Sequence, residues 1–281
     1  MQVGEVRPAK ADDFEHFRRL AESIDGWNLQ YDKQGTKCSA KSKMVLTIRL
    51  IKVVAKFNDV SCSLMYDVLH DGDYRRCWDE NMVECYEICQ LDRYNDIGYY
   101  SIKCPTPMRN RDFVTQRSWN WADDDFIIFN HSVYHKDVPV KKGFIRGQSI
   151  LSGYFVQKRG DGCSVTYVSQ VDLKVVFCSC LGTVGHLPKW LVNRASTKIA
   201  PKVVIKVHKA ALGYQSWKAE HAPSYKPWIW PEQSILPMLR PEDAEYVNSD
   251  SPSGSDQEQE VIGEDPANYS SEENVDDNIM L

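Results

Sequence analysis

The sequence predicts an α+β domain in which a long antiparallel sheet is followed by one long amphipathic helix. Between Met82 and Val176, short β-rich runs recur with turn signals between them and no helical spacing. From Pro188 to Leu212 the apolar residues Trp190, Leu191, Ile199, Val203, Val207 and Ala211 return to helical spacing. Beyond Glu242 the composition turns to Ser, Asp, Glu, Asn and Gly, too poor in core-forming residues to order itself.

Residues 12–21 begin with an Asp suited to capping and place Phe14, Phe17 and Ala21 on one face, which predicts a short amphipathic helix. Strands are expected over Gly26–Tyr31, Lys37–Met44 and Leu46–Phe57, the first two joined by a turn at Asp32–Gly35. Ser61 caps a predicted helix, SLMYDVLHD, with Leu64, Met65, Val68 and Leu69 sharing a face. The sheet runs are MVECYEICQL, DIGYYSIKC, DFVTQRSWNW, DFIIFNHSVY, FIRGQSILSGYFVQ and CSVTYVSQVDLKVV, which predict an antiparallel meander. Pro201 falls within the last helical stretch and is expected to kink or break it. Residues 214–240, with YKPWIWPEQSILP, read as an extended segment packed on the domain. The expected organisation is a lead at 1–11, a domain at 12–213, a Trp/Pro-rich extension at 214–240 and an acidic disordered tail at 241–281.

Charge is distributed unevenly. The chain has a formal charge of -5, yet thirteen of its 39 acidic residues lie in 241–281, which holds no Lys or Arg. That leaves 34 bases against 26 acids and a charge of +8 in 1–240. A basic body approaches anionic surfaces, and an acidic tail either solvates it or competes for the same patch. Nine cysteines and no apolar signal stretch after MQVGEVRPAK point to thiols in a reducing compartment, and no run reaches a spanning length of about 18 apolar residues. A cytoplasmic protein, reversibly peripheral at membranes, is expected.

At DYRRCWDENM (73–82), GYYSIKCPTPMRNRDF (98–113) and LPKWLVNRASTKIAPK (187–202), the sequence resembles the START lipid-transfer family, within its phosphatidylcholine-transfer subgroup. Resemblance extends over roughly residues 13–235. It implies a helix-grip fold, in which a curved antiparallel sheet wraps a C-terminal helix around a lipid cavity. The implied function is to bind one phospholipid, phosphatidylcholine and/or phosphatidylethanolamine, and carry it between membranes without catalysis or cofactor. Such cargo needs a cavity because each methylene exposed to water costs about 0.8 kcal/mol.

Arg75 and Asp79 are four apart in a short stretch that reads as helical, so they face each other. They form either a surface ion pair beside Trp78 or, as the resemblance implies, a buried pair with the Arg toward the lipid phosphate. A guanidinium fork suits phosphate oxygens and stays charged when desolvated. The positions that cage choline in the resembled subgroup correspond to Tyr100, Phe113 and Ile150. Two are aromatic and one is not, so the implied cage is incomplete and admits ethanolamine lipids.

Loop 104–112 corresponds to the family's loop over the cavity mouth, where Met108 offers a flexible apolar contact and Arg109 and Arg111 meet headgroups. The final helix completes that gate. From Pro188 to Gly213 it carries Lys189, Arg194, Lys198, Lys202, Lys206 and Lys209 and no acid, so that with Trp190 it suits docking on a membrane. The stretch VVFCSCLGTV (175–184) reads as an insertion relative to the family. Its C-x-C has no second ligand pair at a metal-like spacing, so no metal is expected.

No G-x-S-x-G elbow or G-x-x-x-x-G-K loop is present, and His131 and His135 have no supporting carboxylate in sequence, so an enzyme is not expected. A nucleic-acid role would rest on the +8 body alone, with no matching motif. A lipid sensor signalling through a protein partner would share all these features and stays open as the alternative. In the tail, Ser253, Ser255 and Ser270 each precede an acid by three residues, the pattern of an acidophilic kinase of the casein kinase 2 type. Phosphorylation there is expected to weaken membrane docking by adding negative charge.

Overall fold

The computed structural model describes residues 1–41, 50–104, 109–172, 199–240 and 243. Among these residues, ten strands form one sheet with four helices. The strands are β1 (Asn28–Lys33), β2 (Thr36–Lys41), β3 (Leu50–Phe57), β4 (Met82–Asp92), β5 (Asn95–Ile102), β6 (Asn110–Ala122), β7 (Asp125–Ser132), β8 (Phe144–Arg146), β9 (Gln148–Arg159) and β10 (Gly162–Asp172). The helices are α1 (Ala11–Glu22), α2 (Cys62–His70), α3 (Gly72–Trp78) and α4 (Ala200–Glu220).

The sheet order is β1-β2-β3-β10-β9-β7-β6-β5-β4. It is a meander from β4 onward, closed against the N-terminal hairpin by β10 pairing with β3. Helix α4 touches β2 and β3 on one side and α2 and α3 on the other. The sheet therefore curls around α4. Its inner face packs Val53, Trp119, Ile128, Val156 and Val165 with Val204, Val207, Ala211 and Tyr214 of the helix. On the outer face, Phe17 and Ala21 of α1 cover Leu50, Ile127, Phe129, Phe155 and Val168.

Local chemistry explains most boundaries. Gln34 and Gly35 both take positive φ, 51° and 74°, in the two-residue turn that matches the twist of β1 and β2. Ser61 Oγ accepts the Leu64 N–H at 3.2 Å and starts α2. Asp12 does not cap α1 as expected; the helix starts at Ala11, and Asp13 reaches back to accept the Lys10 N–H at 2.8 Å. An acid at the third helical position is near enough to satisfy that donor, and Arg7 Nη1 holds it there at 2.7 Å.

Two expectations about the sheet and final helix are corrected. The run FIRGQSILSGYFVQ is not one strand, because it breaks at Gly147 and β8 pairs in parallel with the start of β6. A Cβ on Gly147 would lie 2.4 Å from Phe113 Cε1, so the ring takes the space a side chain would need. Pro201 does not kink the described helix. It sits in the first turn of α4, where its missing N–H costs nothing, and the helix continues past residue 213 to Glu220. The part of the predicted helix before Ile199 lies outside the described residues.

Asp71 ties the helices together. It caps α3 by accepting the Tyr74 N–H at 3.0 Å and takes Tyr214 Oη and Lys218 Nζ of α4, each at 2.9 Å. Tyr74 Oη also donates to Ala210 O at 2.7 Å. Beyond α4, Lys226 Nζ and Trp228 Nε1 donate to Asp67 of α2 at 2.6 and 2.8 Å. The chain then pairs Pro237 and Leu239 with Gln90 on the edge of β4, covering backbone groups an open edge would expose. Cys38, Cys62, Cys77, Cys85, Cys89, Cys104 and Cys163 are free thiols.

Candidate functional site

Helix α3 is barely two turns long and ends at Trp78, so Arg75 and its cap residue Asp79 lie one turn apart. Arg75 Nε donates to Asp79 Oδ2 at 3.0 Å, and Tyr100 Oη on β5 donates to the same oxygen at 2.8 Å. The guanidinium lies 4.6 Å from the Tyr100 ring centre and 5.7 Å from that of Trp78. Burial, the largest influence on Arg75, opposes its charge, but Tyr100 and Asp79 outweigh it and raise its pKa. Its side chain nevertheless keeps 37% of its surface accessible. Arg75 is thus strongly desolvated yet still accessible. Tyr100, Tyr154, Tyr167 and Cys85 share this condition, half-buried by surface yet each with its pKa raised chiefly by desolvation. These groups line the concave interior.

The other expected site residues fall as follows. Phe113 is directly opposite Tyr100 across the β5–β6 pair, buried with its ring against Gly147. Ile150 is half-buried beside a bulge where β9 slips its register against β10. Arg109 is exposed just before β6, and residues 110–112 of the expected 104–112 loop belong to that strand, where they pair with β8. Arg111, expected to meet headgroups at the gate, is instead 1% exposed, and its Nη1 donates to Arg109 O. It lies on β6 between Ile102 on β5 and Ile145 on β8, inside the sheet rather than at an exposed loop position. Lys202 is exposed on α4. Met108, Trp190, Lys198, the 175–184 stretch and the tail serines Ser253, Ser255 and Ser270 lie outside the described residues.

Sequence reasoning missed a second charged group. Arg117 on β6 shares the inward phase of Phe113, and its Nε donates to Asp96 on β5 at 3.1 Å and its Nη2 to Glu87 on β4 at 2.9 Å. Burial, offset by Asp96 and Glu87, leaves this guanidinium charged, and 24% of its side chain is accessible. Period-2 alternation through Phe113, Thr115, Arg117 and Trp119 was the available signal, since it places a cation on the face of a strand that packs inward.

His70 is fully buried between Tyr66, Trp119 and Trp228. Burial and then Arg117 hold its pKa well below 6.5, and burial likewise lowers His131. Unfolding lets each take up a proton that the fold refuses. Stability is therefore full above the ordinary histidine value. It falls by up to about 1.4 kcal/mol per pH unit per histidine as pH drops below it. Urea unfolding at about pH 5.5 and 7.5 checks this, and His70→Phe should make the loss on acidification shallower; an unaltered slope would remove His70 from the account. His131 Nε2 meets Glu5 O at 2.7 Å and His135 Nδ1 accepts the Asp137 N–H at 3.3 Å, which are structural contacts.

His135, Asp137 and Asp243 bring ligand atoms within 4.8 Å of one another. Lys136 and Arg240 already neutralise Asp243, at 2.5 and 2.6 Å, so the cluster is an ion-pair knot. Two surface clefts, of about 170 Å³ beside α1 and about 330 Å³ at the Ser61 and Gly160 turns, include neither Arg75 nor Arg117. No described helix is long and apolar enough to cross a membrane.

The comparisons agree with this architecture. The START domain pattern matches residues 9–218. The mouse protein named START domain-containing protein 10 is 42% identical over 85% of this chain and 79% of its own length. The crystal structure of human STARD10 superposes with a TM-score of 0.77 at 41% identity, covering 85% of this chain and 94% of that one. Mouse phosphatidylcholine transfer protein is more distant, 27% identical over 58% of this chain and 73% of its own. With a curved sheet gripping α4 and charged residues lining its interior, this chain belongs to the START domain family.

Proposed function

We propose that this protein binds one phospholipid, phosphatidylcholine and/or phosphatidylethanolamine, in the concave interior and transfers it between membranes. The observation that carries this reading is Arg75, a charged fork deep inside the fold but still accessible, held by Asp79 and stacked on Tyr100. A lipid phosphate is the anion that such a fork suits, and Asp79 satisfies it when no lipid is bound. Tyr100 already stacks on Arg75, and Ile150 supplies no aromatic face, so the surroundings favour no strict selection for choline. A relative named phosphatidylcholine transfer protein supports the substrate class.

Release requires an opening, and α4 with the 104–112 loop is the gate in this reading. Lys202, Ile205, Lys209 and Leu212 are exposed at spacings of three and four on α4, a stripe that alternates cation and apolar group. Such a stripe suits the boundary between headgroups and acyl chains, especially where anionic lipids are present. Native mass spectrometry of the purified chain, with extraction of its cargo, tests the reading. The expected result is one choline or ethanolamine phospholipid per chain. Recovery of sterol, of ceramide or of no lipid would overturn it.

A further inference from the structure

Ile150 leaves the headgroup surroundings short of one aromatic face, and the other two implied cage positions are already engaged. Phe113 is buried with its ring against Gly147, while Tyr100 stacks on Arg75 and donates to Asp79. Two further rings reach this region from β9 and β10. Tyr154 and Tyr167 lie directly opposite each other across that strand pair, with ring centres 4.9 Å apart and planes tilted by 36°. Both are half-buried and pack against the inner cluster that includes Val156, Val165 and, from α4, Val204 and Val207. Phe155 and Val168, one residue along from each, turn instead to the α1 face, as period-2 alternation requires. Burial raises the pKa of each phenol, Arg75 opposes that rise at both, and Asp79 adds to it at Tyr154. Charges act in this way on near neighbours, so both hydroxyls end close to the Arg75–Asp79 pair.

The two headgroups ask for different surroundings. A phosphate at Arg75 carries its nitrogen only two carbons away, so the ammonium falls among the same side chains. Trimethylammonium has no N–H and is stabilised by aromatic faces. A primary ammonium has N–H donors, and each needs an acceptor once water is excluded. Asp79 is partly occupied, since its Oδ2 already accepts from Arg75 and Tyr100. A phenol oxygen accepts as well as donates, and burial keeps Tyr154 and Tyr167 neutral, so they add acceptors without adding charge.

We propose that Tyr154 and Tyr167 form the subsite for the headgroup nitrogen, their rings serving either ammonium and their hydroxyl oxygens accepting from the N–H groups of ethanolamine. The proposal rests on the carrier reading above and assigns its choice of cargo to two residues outside the implied cage. The rings admit both lipids, and the hydroxyls are what admits ethanolamine.

The test loads the full chain from vesicles holding equal amounts of phosphatidylcholine, phosphatidylethanolamine and the N,N-dimethyl derivative of the latter, all with the same acyl chains. Native mass spectrometry then reads the ratios of bound lipid. The paired variant Tyr154→Phe with Tyr167→Phe keeps the rings and loses both hydroxyls. It should lower the ethanolamine-to-choline ratio about tenfold, the effect of a hydrogen bond to a charged group, and leave choline uptake unchanged. The dimethyl lipid, with one N–H left, should fall by less. Tyr154→Leu, which removes a ring, should lower choline uptake about threefold. The Phe pair preserves most packing and decides the matter if the Leu variant fails to fold. An unchanged ethanolamine-to-choline ratio in the folded Phe pair, or an equal fall for all three lipids, would overturn the nitrogen subsite while leaving the carrier standing. Uptake of no phospholipid by the unaltered chain would overturn both.

Discussion

Replacing Arg75 by Gln should lower vesicle-to-vesicle phospholipid transfer by about 10- to 100-fold. Hydrogen bonds to charged groups contribute about 1.5–3 kcal/mol, and each 1.4 kcal/mol is tenfold. Gln retains a donor but loses the charge and the fork, so a phosphate in the interior would lack its counter-charge. Asp79 would keep only Tyr100 Oη as a donor among the contacts seen here, leaving a carboxylate where the phosphate should sit. Repulsion between the two adds to the loss. Arg75→Lys should fall between, because it restores a positive charge without two-point contact. Thermal unfolding alongside separates loss of binding from loss of fold. Transfer by a folded Arg75→Gln chain at the unaltered rate would remove the headgroup role.

Asp71→Ala should be the most damaging single change to stability among the ion pairs described. It removes the cap of α3 and two acceptor contacts to α4, and strands the Lys218 ammonium in a site only 9% accessible. Breaking a buried pair costs about 3–5 kcal/mol and loss of a cap about 1 kcal/mol. For a domain of this size that lowers Tm by roughly 10 °C or more. Asp71→Asn keeps one acceptor oxygen for the Tyr74 N–H cap but puts an amide NH2 where Tyr214 Oη and Lys218 Nζ donate, so it should lose less than the Ala variant. A fall in Tm of only a degree or two for the Ala variant would show that α4 is held by its apolar face alone. Since α4 is part of the proposed gate, a milder variant that loosens it without unfolding the chain should also release lipid faster.

How the fold reads from sequence follows from how local each signal is. Short β-rich runs bounded by turn signals mark the strands Met82–Asp92, Asn95–Ile102 and Asp125–Ser132, since both cues lie within each run. Ser61 and the apolar face of α2 needed nothing beyond four neighbouring residues. Errors came where a distant group decided the outcome. Nothing within FIRGQSILSGYFVQ shows that the Phe113 ring, thirty-odd residues earlier, fills the space beside Gly147 and divides the run. Arg111 looked like a surface cation because its neighbours in sequence are polar, yet strands on either side of it take it inside.

By itself the sequence determined the alternation of sheet and helix, the family, and the Arg75–Asp79 pair, since four residues on one short helix place two side chains together whatever surrounds them. Only the tertiary structure decided that Tyr100 closes on that pair and that Arg117, Asp96 and Glu87, from three strands, meet on the same sheet. The reason is physical. Contacts across a sheet depend on register, and register is set by the burial of whole faces and by bulges that no single segment encodes.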